Sequence, residues 1–202
     1  MLILYSAPGL TVAASGIRDT GPAELDRIAS ALSPEYAFSL NKKNKKAADE
    51  SLSGALLLLD VLSFLRLSPS KVVRGEMGKP FFESGGPCFS ISHDGNAVIC
   101  AVSAENTGID LMHLPVRFDS SRRCAVAKRF FTKEEYLQVS AAESEGDGGA
   151  LFASLWTLRE AVSKRAGGAL GEMLGRPLPA VDRDHRFEFS LAGEKYTAVC
   201  VI

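Results

Sequence analysis

The sequence predicts an α+β protein made of two similar halves, and three observations carry that prediction. A long helical stretch with the apolar run Ala55-Leu56-Leu57-Leu58-Leu59 is followed by alternating strand patterns. Those strands are joined by short Gly- and Asn-bearing turns, which reads as a β-meander. The third is a faint internal repeat. Phe89-Ser90-Ile91-Ser92, a turn and an apolar strand with Cys100 resemble Phe187-Glu188-Phe189-Ser190, a turn and an apolar strand with Cys200. Each copy is preceded by a long helix, so the halves are drawn at 1–104 and 105–202.

Met1 to Tyr5 reads as a short buried strand, and Gly9, Gly16 and Gly21 loosen the segment after it. Pro22 to Leu32 is the first helix, broken by Ser33-Pro34. Asn41-Lys42-Lys43-Asn44-Lys45-Lys46 is a compact basic cluster that runs into a long helix, Ala47 to Leu67. Gly75-Glu76-Met77-Gly78-Lys79-Pro80 is a turn, Phe81 and Phe82 come next, and Gly85-Gly86-Pro87 interrupts. Phe89 to His93 alternates as a half-buried strand does. Asp94-Gly95-Asn96 turns into the apolar strand Ala97 to Val102, and Asn106-Thr107-Gly108 turns again into Ile109-Asp110-Leu111-Met112. Arg117 to Arg129 reads as helix. Thr132 and Glu135 fit a capping box that opens another. After the breakers Gly146 to Gly149 comes a helix through Lys164, stopped by Gly167 and Gly168. A hairpin ends the sequence: Phe187 to Leu191, a turn, and Lys195 to Ile202.

Composition excludes several classes. The 202 residues suffice for one large domain or two small ones, each with a core. A net charge of -1 gives no global field for nucleic acid or membrane, so anion affinity must be local. No apolar run approaches the ~20 residues of a membrane span. The start, MLILYSAPGL, lacks the basic region of a signal peptide. Four scattered cysteines form no CxxC pair, which argues against zinc and redox motifs. Cys100 and Cys200 read as buried thiols, and the cytoplasm is the expected compartment.

The chemistry concentrates in Trp156-Thr157-Leu158-Arg159-Glu160-Ala161-Val162-Ser163-Lys164. Trp156, Glu160 and Lys164 are each four apart, so they share one helix face. A structural account exists, since a Glu–Lys pair at that spacing stabilises a helix by about 0.2–0.5 kcal/mol. Asp110 interrupts an apolar strand and needs a partner, a metal or water if buried, unless it faces solvent from an edge strand. The basic cluster at a helix start opposes the macrodipole, a conflict that an anionic ligand would remove. His93 by itself reads as a turn histidine.

Gly78-Lys79-Pro80, Ser90-Ile91-Ser92-His93, Gly108-Ile109-Asp110, Arg129-Phe130-Phe131-Thr132 and Trp156-x-x-Arg159-Glu160-Ala161-x-x-Lys164, in this order and spacing, resemble the 4′-phosphopantetheinyl transferases of the longer, surfactin-synthetase-type class. The resemblance covers roughly residues 42 to 170. It implies two halves about a pseudo-twofold axis, with coenzyme A in the cleft between them. It implies transfer of the phosphopantetheine arm to a serine of an apo acyl or peptidyl carrier protein, with release of 3′,5′-ADP. By the same resemblance Asp110 and Glu160 are ligands of magnesium, with manganese as the alternative, and Glu160 is a candidate base, directly or through water. Lys164 would neutralise the pyrophosphate, Lys79, Ser92 and His93 would hold nucleotide phosphates, and Lys45 or Lys46 would meet the 3′-phosphate. A monomer is expected, because the two halves replace the subunits of shorter relatives.

Two residues depart from the family pattern. Met112 stands where many members carry a second acidic residue, and it cannot ligate magnesium. Glu50 stands where an Arg is common. They are the support for a competing reading, a non-catalytic coenzyme A or nucleotide-binding module. A metal-dependent phosphohydrolase is a third.

Overall fold

The computed structural model describes residues 1–168, 171 and 174–202. The chain divides into two compact units, Met1–Thr107 and Gly108–Ile202.

In the first unit, β1 (Leu2–Ala7), β2 (Leu10–Gly16), β5 (Cys88–Asp94) and β6 (Ala97–Ser103) form an antiparallel sheet in the order β1-β2-β6-β5. Two sequence readings are corrected here. Leu10–Gly16 is a strand, not a loosened segment: Leu10 to Ser15 are all buried, and β-branched Thr11 and Val12 suit a pleated interior. Because β2 takes the inner place, β1 is an edge strand of half-buried and exposed residues, not a buried one.

Helices α1 (Pro22–Ala31), α2 (Pro34–Leu40) and α3 (Lys45–Phe64) accompany this sheet. Ser33-Pro34 ends one helix and also starts the next. The Ser33 hydroxyl accepts from Tyr36 N–H at 3.1 Å, and Pro34 takes the first turn, where its missing N–H costs nothing. In α3, Leu52 to Leu59 are all buried, in one core with Ile28, Leu32, Tyr36 and Leu40 of the neighbouring helices and Phe89, Val98 and Cys100 of the sheet. A helix covered on all sides has no reason to be amphipathic, which explains its unbroken leucines. Burying each leucine contributes about 2 kcal/mol. That outweighs the roughly 0.5 kcal/mol lost per cation at the helix start, where Lys45 and Lys46 stand with no acidic residue in the first turn. The small hairpin β3 (Val72–Arg74) and β4 (Pro80–Phe82) turns through Gly78, whose φ of 84° favours glycine.

The second unit holds β7 (Gly108–Leu114), α4 (Ser120–Phe130), α5 (Lys133–Glu145), α6 (Gly148–Ala166), β8 (Asp184–Leu191) and β9 (Glu194–Val201). Its antiparallel sheet runs β7-β9-β8. The meander is therefore corrected: β5 and β6 pair, but β7 joins a different sheet. Both edges of β6 are already taken, by β2 and β5. Gly108 belongs to β7 and not to the turn before it.

Thr132 and Glu135 form the expected capping box of α5. The glycine-rich break is only two residues long. Gly146 ends α5 with φ 94°, and α6 starts at Gly148, where a Cβ would lie 2.2 Å from Glu143 Cδ. Gly167 stops α6 in the left-handed conformation, as the sequence suggests. Thr157 lies inside α6, buried, and its hydroxyl donates to Ala153 O at 2.8 Å. Cys100 and Cys200 are both fully buried.

Candidate functional site

The second unit brings three of the predicted residues together. The cause begins at Gly108. A Cβ there would lie 1.9 Å from Ala161 O and 2.4 Å from Arg165 N, so only glycine lets α6 press this closely on β7. Two residues further along β7, on the same strand face, comes Asp110. Lys164 of α6 donates to Asp110 Oδ1 at 2.7 Å. Asp110 sits on an edge strand yet is only 6% exposed, so it does not face solvent. The ammonium offsets what an isolated buried carboxylate would cost.

Glu160 lies one helical turn before Lys164 and is half-buried. Burial pushes its carboxyl above the ordinary value of 4.5, and the negative charge of Asp110 pushes the same way, while Lys164 opposes. Two carboxylates and an ammonium thus converge, and one carboxyl binds its proton more tightly than usual. Such perturbation by burial plus a specific charge marks candidate functional sites.

Met112, the next residue on that strand face, packs against an apolar cluster of Ala127, Phe131, Val139 and Phe152. Trp156 packs on the same cluster, with its ring stacked on Phe152 at 5.9 Å between centroids. The Trp156–Glu160–Lys164 stripe therefore has an apolar end and a charged end, and Met112 belongs to the apolar one. Sequence reasoning treats Arg159 only as part of a pattern. It is 1% exposed, paired with Glu135 and bonded to Arg176 O at 3.0 Å. The capping residue of α5 is thereby also tied to α6.

The donor set suits magnesium. Among the described residues no cluster of three His, Cys, Asp or Glu forms a ready-made cage. Magnesium is commonly held by one or two carboxylates, with waters and phosphate oxygens completing the octahedron. Asp110 and Glu160 fit that role.

In the first unit the predicted phosphate-binding residues are more exposed, buried Ser92 and half-buried Lys79 excepted. Lys45 donates to Asp19 Oδ1 at 2.6 Å, Asp49 Oδ1 at 2.5 Å and Thr20 O at 2.8 Å, which accounts for all three ammonium protons. Lys45 first, with Thr20, holds Asp49 down to about 2. Lys46 is exposed and 3.8 Å from Glu50 Oε1. Glu50 Oε2 in turn lies 3.7 Å from His93 Nδ1. Lys79 donates to Asn106 Oδ1 at 2.7 Å and Thr107 O at 3.0 Å. Ser92 is buried and His93 exposed, and as consecutive strand residues they face opposite sides of the sheet.

A cavity of about 280 Å³ is walled by Lys42, Lys43, Lys45, Asn41 and Thr20. The basic cluster therefore borders a concave site, which the charge run alone could not reveal. A larger groove of about 450 Å³ is lined by Leu10, Leu65, Leu67, Pro87 and Val102 and contains none of the predicted residues.

Comparison with known proteins points the same way. The family model described as the 4′-phosphopantetheinyl transferase superfamily matches residues 106–199. A 4′-phosphopantetheinyl transferase of Bacillus subtilis is 31% identical over 161 residues, covering 76% of this chain and 68% of the relative. The transferase Sfp of Bacillus subtilis strain 168 is 31% identical over 153 residues, covering 73% and 65%. The transferase gsp of Aneurinibacillus migulanus is 31% identical over 156 residues, covering 72% and 62%. The chain thus spans about two thirds of the length of these relatives, and less than that of two of them.

Proposed function

The chain belongs to the 4′-phosphopantetheinyl transferases, and from that membership we propose that it moves the phosphopantetheine arm of coenzyme A onto a serine of an apo acyl or peptidyl carrier protein. The observation that supports this most is the meeting of Asp110, Glu160 and Lys164 on β7 and α6. Phosphoryl transfer asks mainly for positioning and for charges that stabilise the moving phosphoryl group.

The serine oxygen forms a bond to the phosphorus that bears the pantetheine arm. The bond from that phosphorus to the oxygen bridging to the nucleotide breaks, and 3′,5′-ADP leaves with the electron pair. Glu160 takes the serine proton, directly or through one water. Lys164 balances charge on the pyrophosphate. Asp110 and Glu160 would hold magnesium, which supplies Lewis-acid neutralisation of the pyrophosphate when bound. Lys45 or Lys46, with Lys79, Ser92 and His93, would hold the nucleotide end, and Lys42 and Lys43 share a cavity wall with Lys45.

The two-halves reading rests on the sequence repeat and its pseudo-twofold axis on the family resemblance, and both remain part of this proposal. The monomeric state and a cytoplasmic setting belong to it as well. Among the described residues no helix is long and apolar enough to cross a membrane. Light scattering tests the monomer, and an obligate trimer would sink it. The deciding experiment incubates the protein with coenzyme A, magnesium and an apo carrier, and weighs the carrier. Transfer adds the mass of the arm. Bound coenzyme A with no mass gain would favour the non-catalytic module, and release of 3′,5′-ADP without carrier would favour a hydrolase.

A further inference from the structure

Glu50 stands between two of the groups assigned to the nucleotide phosphates, and the packing of α3 explains why. A Cβ on Gly54 would lie 2.7 Å from Ile91 Cγ2, so the helix sits tightly on this part of β5. Ile91 and His93 share a strand face, and Glu50 lies one helical turn before Gly54. The same register that seats Gly54 on Ile91 brings Glu50 to His93, at 3.7 Å from Nδ1. The other carboxylate oxygen lies 3.8 Å from Lys46 Nζ.

The Glu50 side chain is only 18% exposed, so water screens its charge incompletely. A phosphate that reaches both Lys46 and His93 must come within a few ångströms of this carboxylate. The most heavily charged group of coenzyme A, a phosphate monoester that is close to a dianion at neutral pH, meets the largest penalty there.

We infer that Glu50 is a specificity-determining residue, which weakens this chain's discrimination in favour of the 3′-phosphate of coenzyme A over the same molecule without it. The inference rests on the reading above, taking Lys46 as the lysine that meets the 3′-phosphate and His93 as the phosphate contact beside it. It assigns to Glu50 an effect on one end of the substrate and none on the reacting phosphorus.

The test compares wild type with Glu50→Gln, which keeps the shape and removes the charge. Two ratios are measured: kcat/KM for coenzyme A over 3′-dephospho-coenzyme A, and calorimetric affinity for 3′,5′-ADP over 5′-AMP. Each ratio is expected to rise about tenfold in the variant, the size of a like-charge contact a few ångströms away in a partly screened site. Glu50→Ala repeats the measurement should the amide variant fold poorly. Ratios within twofold of wild type in both assays overturn the inference. If no carrier is modified but the calorimetric ratio still rises, Glu50 keeps this role and the transferase reading fails. If neither nucleotide binds to any of the proteins, both fail.

Discussion

The two units treat charge in opposite ways. In the second, a buried carboxylate and an ammonium meet at 2.7 Å on elements held in register by a glycine that tolerates no Cβ. In the first, the groups assigned to phosphates are mostly exposed, and those around Glu50 stand 3.7–3.8 Å apart. The difference fits the two tasks proposed for them. Bond making demands fixed charges in a poorly screened place, where each is worth most. Holding a flexible, highly charged nucleotide tolerates mobile side chains and water, at the cost of weaker individual contacts.

The sharpest way to break this contrast is to remove charge from each end. Asp110→Ala and Glu160→Gln should each lower turnover about a thousandfold at saturating coenzyme A. Single changes at the nucleotide end should act mainly on KM. Loss of turnover from a nucleotide-end change as large as that from Asp110→Ala would erase the distinction.

The next largest effect concerns packing. Gly108→Ala puts a methyl group into the backbone of α6 and should destabilise the protein by about 3 kcal/mol, read as a fall in the urea midpoint. Gly54→Ala is the matched control in the first unit. Its clash is with a side-chain methyl, and about 0.5–1 kcal/mol of helix propensity is regained, so the net cost should be about 1 kcal/mol or less. Equal costs would mean that the two helix–strand contacts are alike after all.

Glu160 offers a pH test of the same contrast. Its folded-state pKa is raised, so the folded protein holds that proton more tightly than the unfolded chain does. Below the ordinary value of 4.5 both states are protonated, and Glu160 takes nothing from stability. As pH rises above it the unfolded chain ionises first, and stability falls until the folded carboxyl has ionised too. Metal-free Glu160→Gln should therefore melt higher than wild type at pH 7, with the gap closing below about pH 4. A gap of the same size at both pH values would remove the carboxyl as its cause. The smallest effect is expected within the basic cluster. Lys46→Ala should raise KM for coenzyme A about threefold, a typical exposed-charge effect, and more than Lys45→Ala, whose ammonium is already engaged by Asp19 and Asp49.

What the sequence makes legible is local. The helix face of Trp156, Glu160 and Lys164 comes from a spacing of four, and the Thr132–Glu135 box from a spacing of three. Asp110 stands out because its neighbours are apolar, and its partner is a residue already singled out on the helix face. The misreadings concern non-local facts. Whether Leu10–Gly16 is a loop or an inner strand depends on Ala97 to Ser103, more than eighty residues away. Whether β7 continues a meander depends on which edges of β6 are free. The position of Glu50 beside His93 needs the seating of α3 on β5, which no pattern within either segment contains.

The pairing of the sheets bears on how the polypeptide emerges during synthesis. The four-stranded sheet is complete once Ser103 has been made, so the first unit can begin to fold while later residues are still being added. The sheet carrying Asp110 is different, because its middle strand is β9. Gly108 waits for Val201, and Asp110 for Val199, before either finds its place. Until then β7 is an unpaired apolar segment, and a nascent chain paused anywhere before β9 presents a finished first unit tethered to an adhesive strand. Asp110 thus has both of its neighbouring elements, α6 and β9, at hand only after β9 has been made.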